Sequence, residues 1–187
     1  MKKLTIILMA CAFLAAGSMT AYGGEQAPAK VKSFAHNVLA KFGSDSVIVN
    51  AVKAENAKKK TLEKVKEIDQ KWINTIGTDD FIDSLMNSAC SQHLNNIKKE
   101  NDFYEEIFVV DNLGANVALT DKTSDYWQGD EAKFTKSYKE GAGDVFISDV
   151  SFDDSTQSYL TQVSVPVMGE GKVIGVIIFG INVDKLN

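Results

Sequence analysis

The chain contains no arginine; all 20 of its basic residues are lysine. Arginine is the side chain that grips carboxylates and phosphates through two parallel hydrogen bonds. Its absence argues against a dedicated anion clamp and leaves lysine as the only point charge for an acidic ligand. With a formal net charge of -5 and no basic patch in the second half, the chain does not read as a nucleic-acid binder. Cysteine is also scarce: Cys11 and Cys90 are the only two. Cys90 and His93 share C-x-x-H spacing, which sets them on adjacent turns of a helix, and His36 is the only other histidine. Two ligands do not make a zinc site. The C-x-x-C-H signature of haem attachment is missing as well. Cys90 therefore reads as a buried structural thiol, and no metal or cofactor is expected.

Long apolar runs are missing too, with one exception at the start. Lys2 and Lys3 precede an apolar run from Leu4 to Gly17, and Ala21-Tyr22-Gly23 fits a small-x-small cleavage site. This is the pattern of a secretory signal peptide over residues 1–23, with Gly24 as the mature N-terminus. The alternative is an uncleaved anchor, but the run falls short of the roughly 20 residues a spanning helix needs. Leu8-Met9-Ala10-Cys11 resembles a lipoprotein box, although the apolar stretch continues past Cys11. The expectation is an exported, periplasmic or secreted chain whose residues 24–187 form one domain.

What is present divides in two. The first half has helical spacing. Val31, Phe34, Ala35, Val38, Leu39 and Phe42 predict a helix that breaks at Gly43. Ser44 or Asp45 caps the next, from Val47 to about Ala57. Thr61 caps a third, with an apolar stripe from Leu62 to Ile76 and Gly77 at its end. A fourth is predicted from Asp79 or Asp80, carrying Phe81, Leu85, Ala89, His93 and Ile97 on one side. The period then changes to two. Glu106–Val110 and Ala115–Thr120 predict a hairpin around Asp111–Gly114. A short helix is predicted over Glu131–Lys139, capped by Asp130. Strands over Val145–Val150, Ser158–Met168 and Lys172–Val183 follow, with a polar segment at Ser151–Thr156. Helices followed by hairpins predict an α+β fold with an antiparallel, PAS-like sheet of about five strands.

Between the second strand and the short helix lies Thr123-Ser-Asp-Tyr-Trp-Gln-Gly-Asp-Glu131. Two aromatic rings and three carboxylates in nine residues suit a ligand-binding loop. They equally suit a loop whose Trp127 plugs the core and whose Asp130 caps a helix. Enzyme motifs are missing: there is no G-x-S-x-G elbow, phosphate loop or dinucleotide fingerprint. Asp125 with Asp130, or Asp153 with Asp154, could form a carboxylate pair for acid–base work. All four lie in predicted turns, where aspartate is common for backbone reasons. No enzyme is expected.

Several segments resemble bacterial single Cache domains, the PAS-like extracytoplasmic sensor modules. They are Asp45–Ala57, Leu62–Trp72, Asp111–Ala118, Thr120–Glu131 and Gln162–Val167 with Ile174-Gly175. The resemblance implies a long N-terminal helical part (30–100) and a curved antiparallel sheet (104–185) that encloses a small-molecule pocket. In membrane receptors of this kind the last strand leads to a second transmembrane helix and an output domain. Here the sequence stops after the last strand pattern, which suggests a standalone binding protein that signals through a partner. The resemblance places the pocket at Asp125, Tyr126, Trp127 and Asp130, with Asp149 and Tyr159 facing them. Amino-acid-binding members pair an arginine with aromatics and an aspartate. The missing arginine argues against carrying that specificity over. An acidic, aromatic site suits an amine, although Lys122 or Lys133 could pair with a small carboxylate.

Two functions of different classes are expected to compete. One is a sensor module for a small polar metabolite, acting through a membrane receptor or kinase. The other is a structural or interaction protein that homodimerises, or docks on a receptor, through its helical half.

Overall fold

The computed structural model describes residues 24–153 and 157–186. The predicted signal peptide, Cys11 and Asp154 lie outside the described residues. No helix among those described is long and apolar enough to cross a membrane.

Local chemistry sets the helix ends. Helix α1 (Ala29–Asn37) buries Val31 and Ala35. It does not run on to Phe42 as predicted; the chain tightens into a 3₁₀ turn over Leu39–Ser44. A Cβ on Gly43 would collide with the Pro166 carbonyl oxygen, so the turn is pressed against a strand where only glycine fits. Helix α2 (Ser46–Ala57) opens at Asp45, whose carboxylate accepts from Val47 N at 2.9 Å and Ile48 N at 3.2 Å. Such a cap stabilises by about 1 kcal/mol. Thr61 caps α3 (Leu62–Asn74), whose inner face is Val65, Asp69 and Trp72.

The single fourth helix predicted from the sequence is two helices, α4 (Asp80–Met86) and α5 (Ala89–Glu100). Ser88 breaks the run because its hydroxyl accepts from Ser91 N at 3.1 Å and so caps a new helix. Ser91, fully buried, fixes the break: its hydroxyl donates to Leu85 O and accepts from Leu119 N.

The second half forms β1 (Tyr104–Val110), β2 (Asn116–Leu119), α6 (Ala132–Tyr138), β3 (Phe146–Ile147), β4 (Ser151–Asp153), β5 (Ser158–Gly169) and β6 (Lys172–Asn182). The sheet order is β2-β1-β6-β5-β3, with β4 also paired to β5, and every pairing is antiparallel. The fold is α+β with a PAS-like antiparallel sheet. It has six strands, because the predicted polar segment supplies β4. Helix α6 starts one residue later than predicted. Its N-cap position is Glu131, which makes no side-chain cap bond, so Asp130 is not the cap.

Strand alternation divides the core into two. On one side of the sheet Ile107, Val109, Val163, Val165, Ile177 and Phe179 pack with residues of α1, α2 and α5. On the other side Phe108, Val110, Val176 and Ile178 pack with Val65 and Trp72 of α3, Ile82 of α4, Tyr126 and Phe134. Each such side chain contributes about 1.5–3 kcal/mol on full burial. Toward the far end of this second face the row turns polar. Glu106 and Gln162 both pair with Gly180, which lies between them.

Candidate functional site

The aromatic loop is built from the hairpin turn outward. Asp111 accepts from Leu113 N at 2.8 Å and Ala115 N at 3.0 Å, and Gly114 takes the left-handed φ of +82° that closes the turn. The other Asp111 oxygen lies 3.1 Å from Lys60 Nζ. Lys60 also reaches Glu55 at 2.9 Å and donates to the Tyr126 hydroxyl at 2.9 Å. An ammonium has three N–H groups, and these are three acceptors. Burial alone would make Lys60 easier to deprotonate, but Asp111, Tyr126 and Glu55 outweigh it and hold its pKa above the usual lysine value. The Tyr126 phenol is pushed up by burial, against the pull of Lys60.

Tyr126 is 1 % exposed, and its ring packs on Trp72 and Phe81 at 5.7 and 5.6 Å between centroids. Trp127 is partly buried. Its indole N–H donates to Leu113 O at 2.8 Å, and its ring lies under the Lys66 ammonium at 4.6 Å. Asp69 of α3 accepts from both backbone amides, Tyr126 N at 2.9 Å and Trp127 N at 3.0 Å. Trp72 Nε1 donates to Thr123 O at 2.8 Å. The loop is thus clamped to α3. The Asp125 carbonyl accepts from Asn116, Thr123 and Gln128, while its carboxylate accepts from Ser124 at 2.6 Å. Asp130 is exposed.

A separate cleft of about 480 Å³ opens where the second sheet face turns polar. It is lined by Glu131 and Lys133 at the start of α6, by Ser148, Asp149 and Asp153 around β3 and β4, and by Gln162 of β5. Its volume falls within the roughly 300–1,000 Å³ of small-molecule sites. Gln162 donates to Glu106 Oε1 at 3.2 Å. A Cβ on Gly180 would come within 2.6 Å of Glu106 Cγ, so the glycine makes room for the glutamate to lie across β6. Burial pushes the Glu106 carboxyl above its ordinary pKa. The Gln162 hydrogen bond and Lys133 oppose that shift, and Asp153 and Asp121 add to it. The Lys133 side chain is only 13 % exposed. Its Nζ sits 3.1 Å from Glu131 and 5.4 Å from the centre of the Phe108 ring.

The six residues singled out in the sequence do not converge. Tyr126, Trp127 and Asp125 are in the clamped loop, and Asp149 lines the cleft. Tyr159 is 53 % exposed, edge-on to Phe152 at 5.3 Å, beside clefts lined by Glu25 and Lys30 or by Asn182 and Lys185. Glu106 and Gln162 were not singled out. The available signal was a glutamate entering the apolar run Ile107–Val110. Among the described residues no group of three or more His, Cys, Asp and Glu side chains is arranged to hold a metal ion.

No family model matches the chain, and no curated protein matches it. Several solved structures are similar. The ligand-binding domain of the Campylobacter jejuni chemoreceptor Tlp3 with 4-methylisoleucine is 14% identical, with a TM-score of 0.42 over 85% of this chain and 62% of that one. The sensor domain of the V. cholerae histidine kinase DctB is 9% identical, with a TM-score of 0.42 over 84% and 55%. The ligand-binding domain of the Pseudomonas aeruginosa chemoreceptor PctC with GABA is 12% identical, with a TM-score of 0.43 over 80% and 62%. The chain therefore spans less than two thirds of each of these domains.

Proposed function

We propose that the chain is a Cache-like extracytoplasmic sensor module, exported by its N-terminal signal peptide, that binds a small polar metabolite. The binding site is the cleft between α6 and the β3–β5 edge, and the signal passes to a membrane receptor or kinase. The observation that carries this reading is the polar end of an otherwise apolar sheet face. Gln162 and Glu106 are joined across Gly180 beneath an open cleft, where a fold of purely structural purpose would place another apolar row. Asp149, expected from the sequence to touch ligand, lies in this cleft. Tyr126 and Trp127 brace the loop that leads into Glu131 and Lys133, so they shape the wall.

A thermal-shift screen of amines, amino acids, small carboxylates and sugars tests this. A ligand at 100 times its Kd adds about 2.7 kcal/mol, or roughly 5–10 °C in a chain of this size. The shift should vanish in Gln162→Leu. If it survives there and vanishes in Trp127→Ala, the site is the loop.

One observation favours the interaction-protein reading. Ile73, Ile76 and Phe81, around the α3–α4 junction, are 49%, 100% and 40% exposed. Light scattering over a range of concentrations decides whether they pair two copies; a monomer at every concentration removes the dimer.

A further inference from the structure

Helix α3 buries Val65, Asp69 and Trp72 and turns a second apolar row outward. Leu62 and Ile73, about three helical turns apart on one face, are 39% and 49% exposed, and Ile76 just past the helix end is 100% exposed. Phe81, 40% exposed, continues the row beside Trp72, at 6.5 Å between ring centres. Between Leu62 and Ile73 the same face presents Lys66, whose ammonium lies over the Trp127 ring at 4.6 Å. A row of large apolar side chains left in solvent marks a contact surface. Its two ends carry opposite charge. Residues 55–67 hold five lysines against three glutamates, whereas residues 74–85 hold three aspartates and no lysine. Lys58 is held by Glu55 and Lys64 by Glu67. Lys59 at one end and Asp79, Asp80 and Asp83 at the other are exposed and form no ion pair among the described residues. Lys122 reaches the acidic end, where it donates to the Thr75 and Gly77 carbonyls. The length of α3 separates the two ends by about 18 Å.

Resting on the interaction reading, we propose that the occupant of this row is a second copy of the chain, with the two α3 helices antiparallel about a two-fold axis near the middle of α3. A two-fold axis sets the same patch of both copies together. A patch that is basic at one end and acidic at the other complements itself only when the two helices run in opposite directions. Lys59 of each copy then faces Asp79 and Asp80 of the other, and Leu62 lies toward Ile76. A parallel pairing would set aspartates against aspartates and lysine against lysine, which costs affinity. A receptor or kinase would need its own apolar row with the charges in reverse order; a copy of this chain already has one. The apolar row holds the pair and the rim charges set its direction, so salt weakens the dimer without abolishing it. The contact uses no residue that lines the cleft beside α6, so pairing and ligand binding are read separately.

Sedimentation equilibrium of the purified chain over a range of concentrations, at low and high salt, tests the arrangement. The expected result is a reversible dimer that Ile76→Asp weakens at least about tenfold. Lys59→Glu and Asp80→Lys should each weaken it at least about threefold at low salt, and the double variant Lys59→Glu/Asp80→Lys should restore it. Ile76 is fully exposed, so its replacement leaves the core untouched; Ile76→Ser repeats the test without a new charge, and circular dichroism confirms that every variant is folded. A dimer indifferent to Ile76→Asp and Ile76→Ser pairs through another surface, which overturns this contact while the dimer stands. Single charge reversals without effect, or a double variant that stays as weak as the singles, overturn the antiparallel arrangement. A monomer at every concentration overturns the pairing reading and the arrangement together.

Discussion

Asp69→Ala should release the aromatic loop from α3. Asp69 is 8 % exposed, and one of its oxygens accepts both the Tyr126 and Trp127 amides, at 2.9 and 3.0 Å. A hydrogen bond to a charged acceptor contributes about 1.5–3 kcal/mol, and a buried amide left without a partner costs about as much. The two bonds share one acceptor, so they do not simply add. Returning the carboxylate's desolvation cost offsets a further part. The net expected loss is about 3 kcal/mol, or a fall in Tm of roughly 6–12 °C at this chain length. Asp69→Asn keeps an acceptor oxygen in place and should lose only about 1 kcal/mol. Urea unfolding followed by circular dichroism measures both, and hydrogen exchange at Tyr126 and Trp127 should accelerate in the alanine variant. A loss below about 0.5 kcal/mol, with those amides still protected, would show that something other than α3 holds the loop.

Val110 pairs with Val176 in the β1–β6 ladder, and a Cβ on the adjacent Gly175 would meet the Val110 carbonyl oxygen; Gly175→Ala should cost about 2 kcal/mol in urea unfolding. Burial, with Asp45 adding, pushes the Cys90 thiol up to about 12, so native protein at pH 8 should react with iodoacetamide at least about tenfold more slowly than unfolded protein, as a mass-spectrometric time course will show. Glu106 is a carboxyl raised by burial; its folded form binds the proton more tightly than its unfolded form, so its favourable contribution is present at low pH and is lost as pH rises through the folded value. Glu106→Gln should therefore be more stable than the parent at pH 7 and lose that advantage by pH 4, read from urea midpoints at both.

Much of the fold was legible because single residues carry it. Asp45 and Thr61 cap where a side-chain oxygen precedes an apolar stripe, and the Asp111–Gly114 turn has the aspartate and the positive-φ glycine that such a turn demands. Ser88 was passed over because the stripe Phe81, Leu85, Ala89, His93 stays in phase across it, which hides the break between α4 and α5. The cleft was harder to read for a different reason. Glu106 and Gln162 are 56 residues apart and become neighbours only through the register that puts Gly180 between them. The Thr123–Glu131 loop announced its composition but not its role. Aromatic and acidic side chains serve equally to hold a ligand or to clamp a helix, and Asp69, which ties this loop to α3, lies 57 residues upstream.

The most direct test is an amide NMR titration of the ¹⁵N-labelled chain with the pooled panel of amines, amino acids, carboxylates and sugars. The predicted result is shifts centred on Glu131, Lys133, Ser148, Asp149 and Gln162, with Tyr126 and Trp127 little moved. Shifts centred on Tyr126 and Trp127, or no shift anywhere, would contradict a ligand cleft between α6 and the β3–β5 edge.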